Sequence, residues 1–197
     1  MARLLYIKAN PKPTEQSLTL QLADKFIREY QKTHPNDTVE VLDLYHSVMP
    51  IMDYERLAQY NQGTEYEIRK VAEQFKTFDK ILIAAPVWNH GFPAMLNIYL
   101  DNIVYRHTTF TYKEDGKMKG LCENMKAMHI VTSAQIYHGE RSHLNHHYNQ
   151  IKGALGLIGL TDVDCIHLLG RKHLTKEELQ DKLAFLEKEI AHKASEF

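Results

Sequence analysis

Ile81-Leu82-Ile83-Ala84-Ala85-Pro86-Val87-Trp88-Asn89-His90-Gly91-Phe92-Pro93 opens as an unbroken apolar run and ends as a turn carrying an indole, an amide and an imidazole. A run that is apolar at successive positions, not at alternate ones, reads as a strand buried on both faces, the habit of a parallel sheet. The turn then falls outside the carboxyl end of the strand, where open α/β sheets bind their ligands. Trp88 and Phe92 either wall a flat aromatic ligand there or only close the core over the strand end.

Outward from this strand, expected over 80–85, strand and helix alternate in both directions. Residues 4–9 form a short apolar run, and over 17–33 Leu18, Leu22, Phe26 and Tyr30 fall on one helical stripe. Val39, Val41 and Leu42 mark a second strand, and 64–78 a long helix with Ile68, Val71, Ala72 and Phe75 inward. Pro93 opens a helix to about 105. Residues 127–132 read as a strand, 144–158 as a helix and 163–169 as a fifth strand. Thr175 with Glu178 three residues later resembles a capping box, starting a last helix with Leu179, Leu183, Leu186 and Ile190 inward. Five βα units imply an α/β fold with a parallel, doubly wound sheet and right-handed crossovers. Residues 109–120 break the alternation: Phe110-Thr111-Tyr112 and then Glu114-Asp115-Gly116 predict a small inserted hairpin on the sheet's rim.

Composition sets the limits. A chain of 197 residues with 44% hydrophobic content predicts a single domain over 1–197. Lys and Arg number 24 against 25 acids, so no net field selects nucleic acid or an anionic membrane. The N-terminal stretch lacks an apolar signal core and no run is long enough to span a bilayer, which points to a soluble, cytoplasmic protein. Cys122 and Cys165 lie far apart without a C-x-x-C partner and read as small buried apolar side chains.

The loop Ala9-Asn10-Pro11-Lys12-Pro13-Thr14-Glu15-Gln16-Ser17-Leu18-Thr19 gathers hydroxyls and an amide where a helix begins. Helix N-termini carry unpaired N–H groups and partial positive charge, so Asn10, Ser17 and Thr19 are candidates to ring a phosphate. Capping by Ser17 alone accounts for one hydroxyl but calls for neither Asn10 nor Thr19. Without G-x-G-x-x-G or G-K-S/T here, a mononucleotide fits better than a dinucleotide or a P-loop nucleotide. No arginine adjoins this loop to neutralise a dianion. Gly153, Gly156 and Gly159 recur inside and after a helical pattern, which predicts close helix packing. His143, His146 and His147 have helix-compatible spacing, but no H-E-x-x-H motif accompanies them, so they read as a solvated face and not a metal site.

These segments together resemble the FMN-dependent NADH-azoreductases, relatives of the quinone reductases on a flavodoxin-like fold. The likeness runs through the hydroxyl-rich first loop, the A-P-V-W-N-H-G-F-P turn, the T-F-T-Y-K-E-D-G hairpin and Gly156-Leu157-Ile158-Gly159-Leu160-Thr161-Asp162-Val163. It implies a five-stranded sheet of order 2-1-3-4-5 and one FMN per subunit. The phosphate would lie on Asn10, Ser17 and Thr19, with Asn10 where the family more often has serine. Pro86, Val87, Trp88, Asn89 and His90 would lie along the isoalloxazine, the backbone near Asn89 facing its redox-active nitrogen. It further implies NADH or NADPH as donor, flat quinone or azo acceptors, and a homodimer in which Phe110, Tyr112 and Tyr137 serve the acceptor pocket. Two departures stand out. The family follows its fourth strand with S-R-G-G, whereas this chain has Thr132-Ser133-Ala134-Gln135-Ile136-Tyr137, so only Ser133 carries over as a flavin contact. His90 takes a place usually held by an apolar aromatic. The competing classes are a one-electron FMN carrier, disfavoured by balanced charge and the hairpin, and a phosphodiesterase-type hydrolase, for which no G-x-S-x-G elbow or paired carboxylates are visible.

Overall fold

The computed structural model describes residues 1–137 and 139–197. In chain order the elements are β1 (Arg3–Lys8), α1 (Leu18–Thr33), β2 (Thr38–Asp43), α2 (Tyr54–Gln62), α3 (Glu67–Phe75), β3 (Lys80–Ala84) and α4 (Ala94–Ile103). They continue with β4 (Phe110–Tyr112), β5 (Met118–Gly120), β6 (Lys126–Thr132), α5 (His146–Leu157), β7 (Asp162–Leu168) and α6 (Lys176–Glu196). Five strands form one parallel sheet in the order β2-β1-β3-β6-β7, the expected 2-1-3-4-5 arrangement, and β4 with β5 makes the expected antiparallel hairpin.

Alternate residues of each strand feed opposite faces, and helices cover both faces, so the strands are apolar at successive positions. Leu5, Ile7, Ile81 and Ile83 join Phe75, Leu96, Tyr99, Ile151 and Leu155 on the α3, α4 and α5 side. Leu4, Tyr6, Leu82 and Ala84 join Phe26, Tyr30, Leu186 and Ile190 under α1 and α6. Each such large side chain contributes roughly 1.5–3 kcal/mol of burial, which is why a five-residue β3 suffices as the sheet's centre. The chain turns one way from β1 to β2 and the other way to β3, leaving a crevice between the carboxyl ends of β1 and β3. Ala9 N–H donates to Ala84 O at 2.9 Å and Val87 N–H to Thr132 O at 3.0 Å, which carries the ladder past the strand ends into the loops.

Several expectations change. The helix expected over 64–78 runs only over Glu67–Phe75, because the buried Glu65 carboxylate accepts from Ile68 and Arg69 N–H at 2.8 and 3.1 Å and fixes its start. Helix α2 was not foreseen. Its signals are the Asp53 cap, accepting from Arg56 N–H at 2.8 Å, and left-handed Gly63, but it buries no residue and so has no apolar stripe to read. Helix α5 starts at His146, after a 3-10 stretch, Gly139–Leu144, so His143 is not on it. His147 is buried, not solvated. A Cβ on Gly153 or Gly156 would meet nothing within 4 Å, so close packing is not their purpose. Only Gly159 of the three is tight, left-handed and against Gly120, whose own Cβ would strike Gly159 N at 2.1 Å. Cys122 is buried as expected, whereas Cys165 is only partly so, and both are free. The Thr175–Glu178 capping box is present in both directions, at 3.2 and 2.8 Å.

Candidate functional site

Where β1, β3 and β6 end, Asn10, Lys12, Gln16, Ser17, Leu18, Thr19, Pro86, Val87, Trp88, Thr132, Ser133, Ala134 and Arg171 enclose a cleft of about 160 Å³. Its floor is the start of α1. Ser17 caps that helix, its Oγ accepting from Leu20 N–H at 3.3 Å and from Asn10 Nδ2 at 2.7 Å. With its oxygen so engaged, the Ser17 hydroxyl proton is left to donate. Leu18 and Thr19 N–H are among the first amides of the helix and have no intrahelical acceptor. The Thr19 hydroxyl instead pairs with Thr132 Oγ1 at 2.7 Å, tying the helix start to the end of β6. Asn10 Oδ1 accepts from Lys12 N–H at 3.1 Å, which holds the loop between Pro11 and Pro13.

The second wall is Pro86, Val87 and the half-exposed Trp88. Beyond Trp88 the chain reverses in a two-residue turn: Trp88 and Gly91 exchange backbone hydrogen bonds at 3.1 and 2.9 Å, and Asn89 and His90 take φ of 50° and 66°. That is the geometry of a type I′ turn, for which Asn-Gly is the favoured pair, and His90 occupies the glycine position. Neither Asn89 nor His90 lines the cleft. The His90 ring leans on Tyr137, Nδ1 to Oη 3.3 Å and ring centroids 5.8 Å apart. Tyr137, expected as an acceptor wall, is buried, and its ring packs at 5.4 Å on His147, which in turn lies 6.4 Å from His129 inside the fold. Burial holds the His129 imidazolium form down, with a pKa of about 3, and His147 at about 4. Phe110 is buried and Tyr112 half-exposed on the hairpin, both away from the cleft within this chain.

The third wall is the loop after β6. Ser133 lines the cleft but donates its hydroxyl proton to Gln135 O. The carbonyls of Ser133, Ala134 and Gln135 accept from the amides of Arg171, Lys172 and Gly170 at 3.1, 3.4 and 2.9 Å. Because N–H and C=O of one peptide point opposite ways, this turns the amides of 134–136 away from the β7 loop. The loop thus orients backbone donors without the two glycines that the resemblance led one to expect.

Sequence reasoning missed Lys12, Gln16, Leu18, Thr132, Ala134 and Arg171. The first three were in the quoted loop and needed only its fold. Arg171 follows β7, far from every motif, and no local signal marks it. A larger cleft of about 420 Å³ lies between the β7 loop and α6, lined by Ile136, Leu168, Leu174, Phe185 and Leu186 among others. Among the described residues its lining holds no α-helix start and no hydroxyl donor, so the smaller cleft is the candidate site. Among the described residues no group of three or more His, Cys, Asp or Glu stands where it would hold a metal ion, and no helix is long and apolar enough to cross a membrane.

A parallel sheet of this order, with a donor-lined cleft at its switch point, defines the flavodoxin-like class, and residues 2–190 match the family described as having the flavodoxin-like fold. Within that class the chain belongs to the FMN-dependent NADH:quinone oxidoreductase family. It is 42% identical to the FMN-dependent NADH:quinone oxidoreductase of Lachnoclostridium phytofermentans, with 84% of this chain and 85% of the relative covered. The protein of the same description from Trichlorobacter lovleyi is 32% identical over 97% and 99% of the two chains. Among solved structures, an FMN-dependent NADH-azoreductase from Bacillus anthracis in complex with FMN superposes with a TM-score of 0.88 at 25% identity, covering 100% and 99% of the two chains.

Proposed function

We propose that the chain is an FMN-dependent oxidoreductase that passes two electrons from NADH or NADPH to quinones and aromatic azo compounds by a ping-pong hydride exchange. One observation carries it: the cleft joins a helix start and the donors Ser17 and Asn10 to an aromatic wall at the switch point of the sheet. That is the donor set a flavin phosphate and ring require.

FMN, when bound, supplies the hydride chemistry; the chain's part is to bind, orient and shield. Ser17 O–H, Asn10 and the α1 amides hold the phosphate, with the Thr19 backbone in place of its hydroxyl. Pro86, Val87 and Trp88 would hold the ring, with the Asn89-His90 turn next to them in the chain. Ser133 and the amides after it serve the pyrimidine edge. At about 160 Å³ the cleft is smaller than the roughly 300–1,000 Å³ of complete ligand pockets, which supports a homodimer whose second copy finishes the site. Tyr112 of the partner subunit, on the exposed hairpin, together with Phe110 behind it, is the proposed acceptor wall, contributed reciprocally by two-fold symmetry. Tyr137 acts behind His90 and not as a wall. A single domain over 1–197 and a cytoplasmic location, in keeping with two free cysteines, belong to the same proposal.

The purified protein should show a flavin spectrum that bleaches with NADH under anaerobic conditions and returns on addition of a quinone. A colourless protein that takes up no FMN would refute the reading. Flavin that NADH leaves oxidised would make it a carrier and not this enzyme.

A further inference from the structure

We infer that Arg171 is the cation that makes this cleft select a phosphorylated flavin, an inference that rests on the FMN reading above. Among the described residues no carboxylate lines the cleft, yet two cations do, Lys12 and Arg171, in a chain whose charges balance at 24 against 25. A site built for a neutral ligand has no use for that local excess; a phosphate dianion does.

The backbone around Arg171 is fixed from three sides. Gly170 before it is left-handed at φ 78°, and any Cβ there would come within 2.5 Å of the Ile136 side chain. The amides of Gly170, Arg171 and Lys172 all donate into the loop after β6. The start of α1 reaches the same point from the other side, because Thr19 is bonded to Thr132, one residue before the Ser133 that receives the Arg171 amide. Arg171 and the first residues of α1 therefore line the same cleft. The Arg171 guanidinium makes no ion pair or hydrogen bond among the described residues. Of the other described arginines, Arg3, Arg56 and Arg69 are paired with Glu40, Glu67 and Glu73, whereas Arg28 and Arg106 have no carboxylate partner and do not line this cleft. An arginine without a carboxylate partner, lining the same cleft as a helix start, supplies the planar fork that can bind phosphate in two parallel hydrogen bonds.

The test is a titration of the apo protein with FMN and with riboflavin, followed by quenching of flavin fluorescence, for wild type, Arg171→Gln and Arg171→Lys. Arg171→Gln should weaken FMN about 10- to 100-fold at low ionic strength and leave riboflavin within about twofold. Arg171→Lys should recover part of the loss, and added salt should narrow the FMN difference. FMN affinity unchanged in Arg171→Gln overturns the inference alone. Equal weakening of both flavins also overturns it, since Arg171 would then act by holding the 133–135 loop. A wild type that binds neither flavin overturns the inference together with the FMN reading.

Discussion

The loop after β1 and the turn after β3 border one cleft, yet they are built in opposite ways. The β1 loop is wired by short-range polar contacts: Asn10 to Ser17, Lys12 to Asn10 and Leu20 to Ser17 all lie within eight residues of one another. The β3 turn is closed locally by the Trp88–Gly91 backbone pair, but no side chain within it supports it. Two residues sit in left-handed backbone, and the His90 ring depends on Tyr137, 47 positions on, which itself rests on His147 and through it on His129. The first region is held by its own sequence and the second by the interior beneath it. Mutations should therefore act on binding in the first and on stability in the second.

The largest expected effect tests the second half of that contrast. His129 and His147 are held neutral by burial, and neither His129 nitrogen makes a hydrogen bond of good geometry among the described residues. Their folded-state pKa values, about 3 and about 4, lie below the ordinary 6.5, so between those values and 6.5 the unfolded chain binds more protons. Stability is fully present above pH 6.5 and is lost as pH falls through that window. Lowering the pH from 7.5 to 4.5 should cost about 2–5 kcal/mol through these two groups. Urea unfolding at both pH values checks it: His129→Leu should flatten the acid limb, and a limb as steep as wild type would show that the two imidazoles do not govern it.

The first region is sharpened by separating Ser17 from Thr19. Their hydroxyls were expected to serve the phosphate alike, but the structure spends that of Thr19 on Thr132. Ser17→Ala should weaken FMN by about 1–3 kcal/mol and, through the lost cap, lower apo stability by about 1 kcal/mol. Thr19→Val should lower stability by a similar ~1 kcal/mol while FMN affinity stays close to wild type. Calorimetric titration and melting of both variants decide this; equal loss of FMN affinity would return Thr19 to the phosphate. A smaller effect is expected at the hairpin, outside both regions. Tyr112→Ala should raise KM for bulky acceptors severalfold, roughly 1 kcal/mol of acceptor binding, with FMN content unchanged. Full activity from a species that sediments as a monomer would contradict the shared pocket.

What could be read in advance follows the same division. The parallel sheet was legible because β1, β3 and β6 are apolar at successive positions, its strand order only through the family resemblance, and the phosphate loop because Asn10 and Ser17 carry their chemistry within one short segment. Helix α2 was not legible, since it buries no side chain and periodicity has nothing to report. Arg171 was not, since only the sheet brings the end of β7 beside the end of β6. The same holds for the burial of His147: its spacing matched an exposed helical face, and only tertiary packing against Tyr137 and His129 decides otherwise.

His90 is where the two halves of the contrast meet, and its expected effect is the smallest. An imidazole beside a flavin could stabilise the anionic reduced ring, and such coupling would make the midpoint potential change slope with pH across the histidine range. The structure directs the ring elsewhere: His90 is exposed, lies outside the cleft lining and gives Nδ1 to Tyr137 at 3.3 Å. Potentials of wild type and His90→Phe should therefore superimpose from pH 5 to 8, and a slope change present in wild type and absent in the variant would restore an electrostatic role. The backbone gives a second reading that needs no flavin. At φ 66° a side chain costs roughly 1 kcal/mol that glycine does not pay, whereas the Tyr137 hydrogen bond returns about 0.5–1.5 kcal/mol. His90→Gly gives up both and should melt within about 1 kcal/mol of wild type, while His90→Phe keeps the strained backbone, loses the bond and should be the less stable of the two. If His90→Gly were instead less stable than wild type by clearly more than about 1 kcal/mol, the Tyr137 bond would outweigh the strain, and the interior would be holding the turn more firmly than these magnitudes allow.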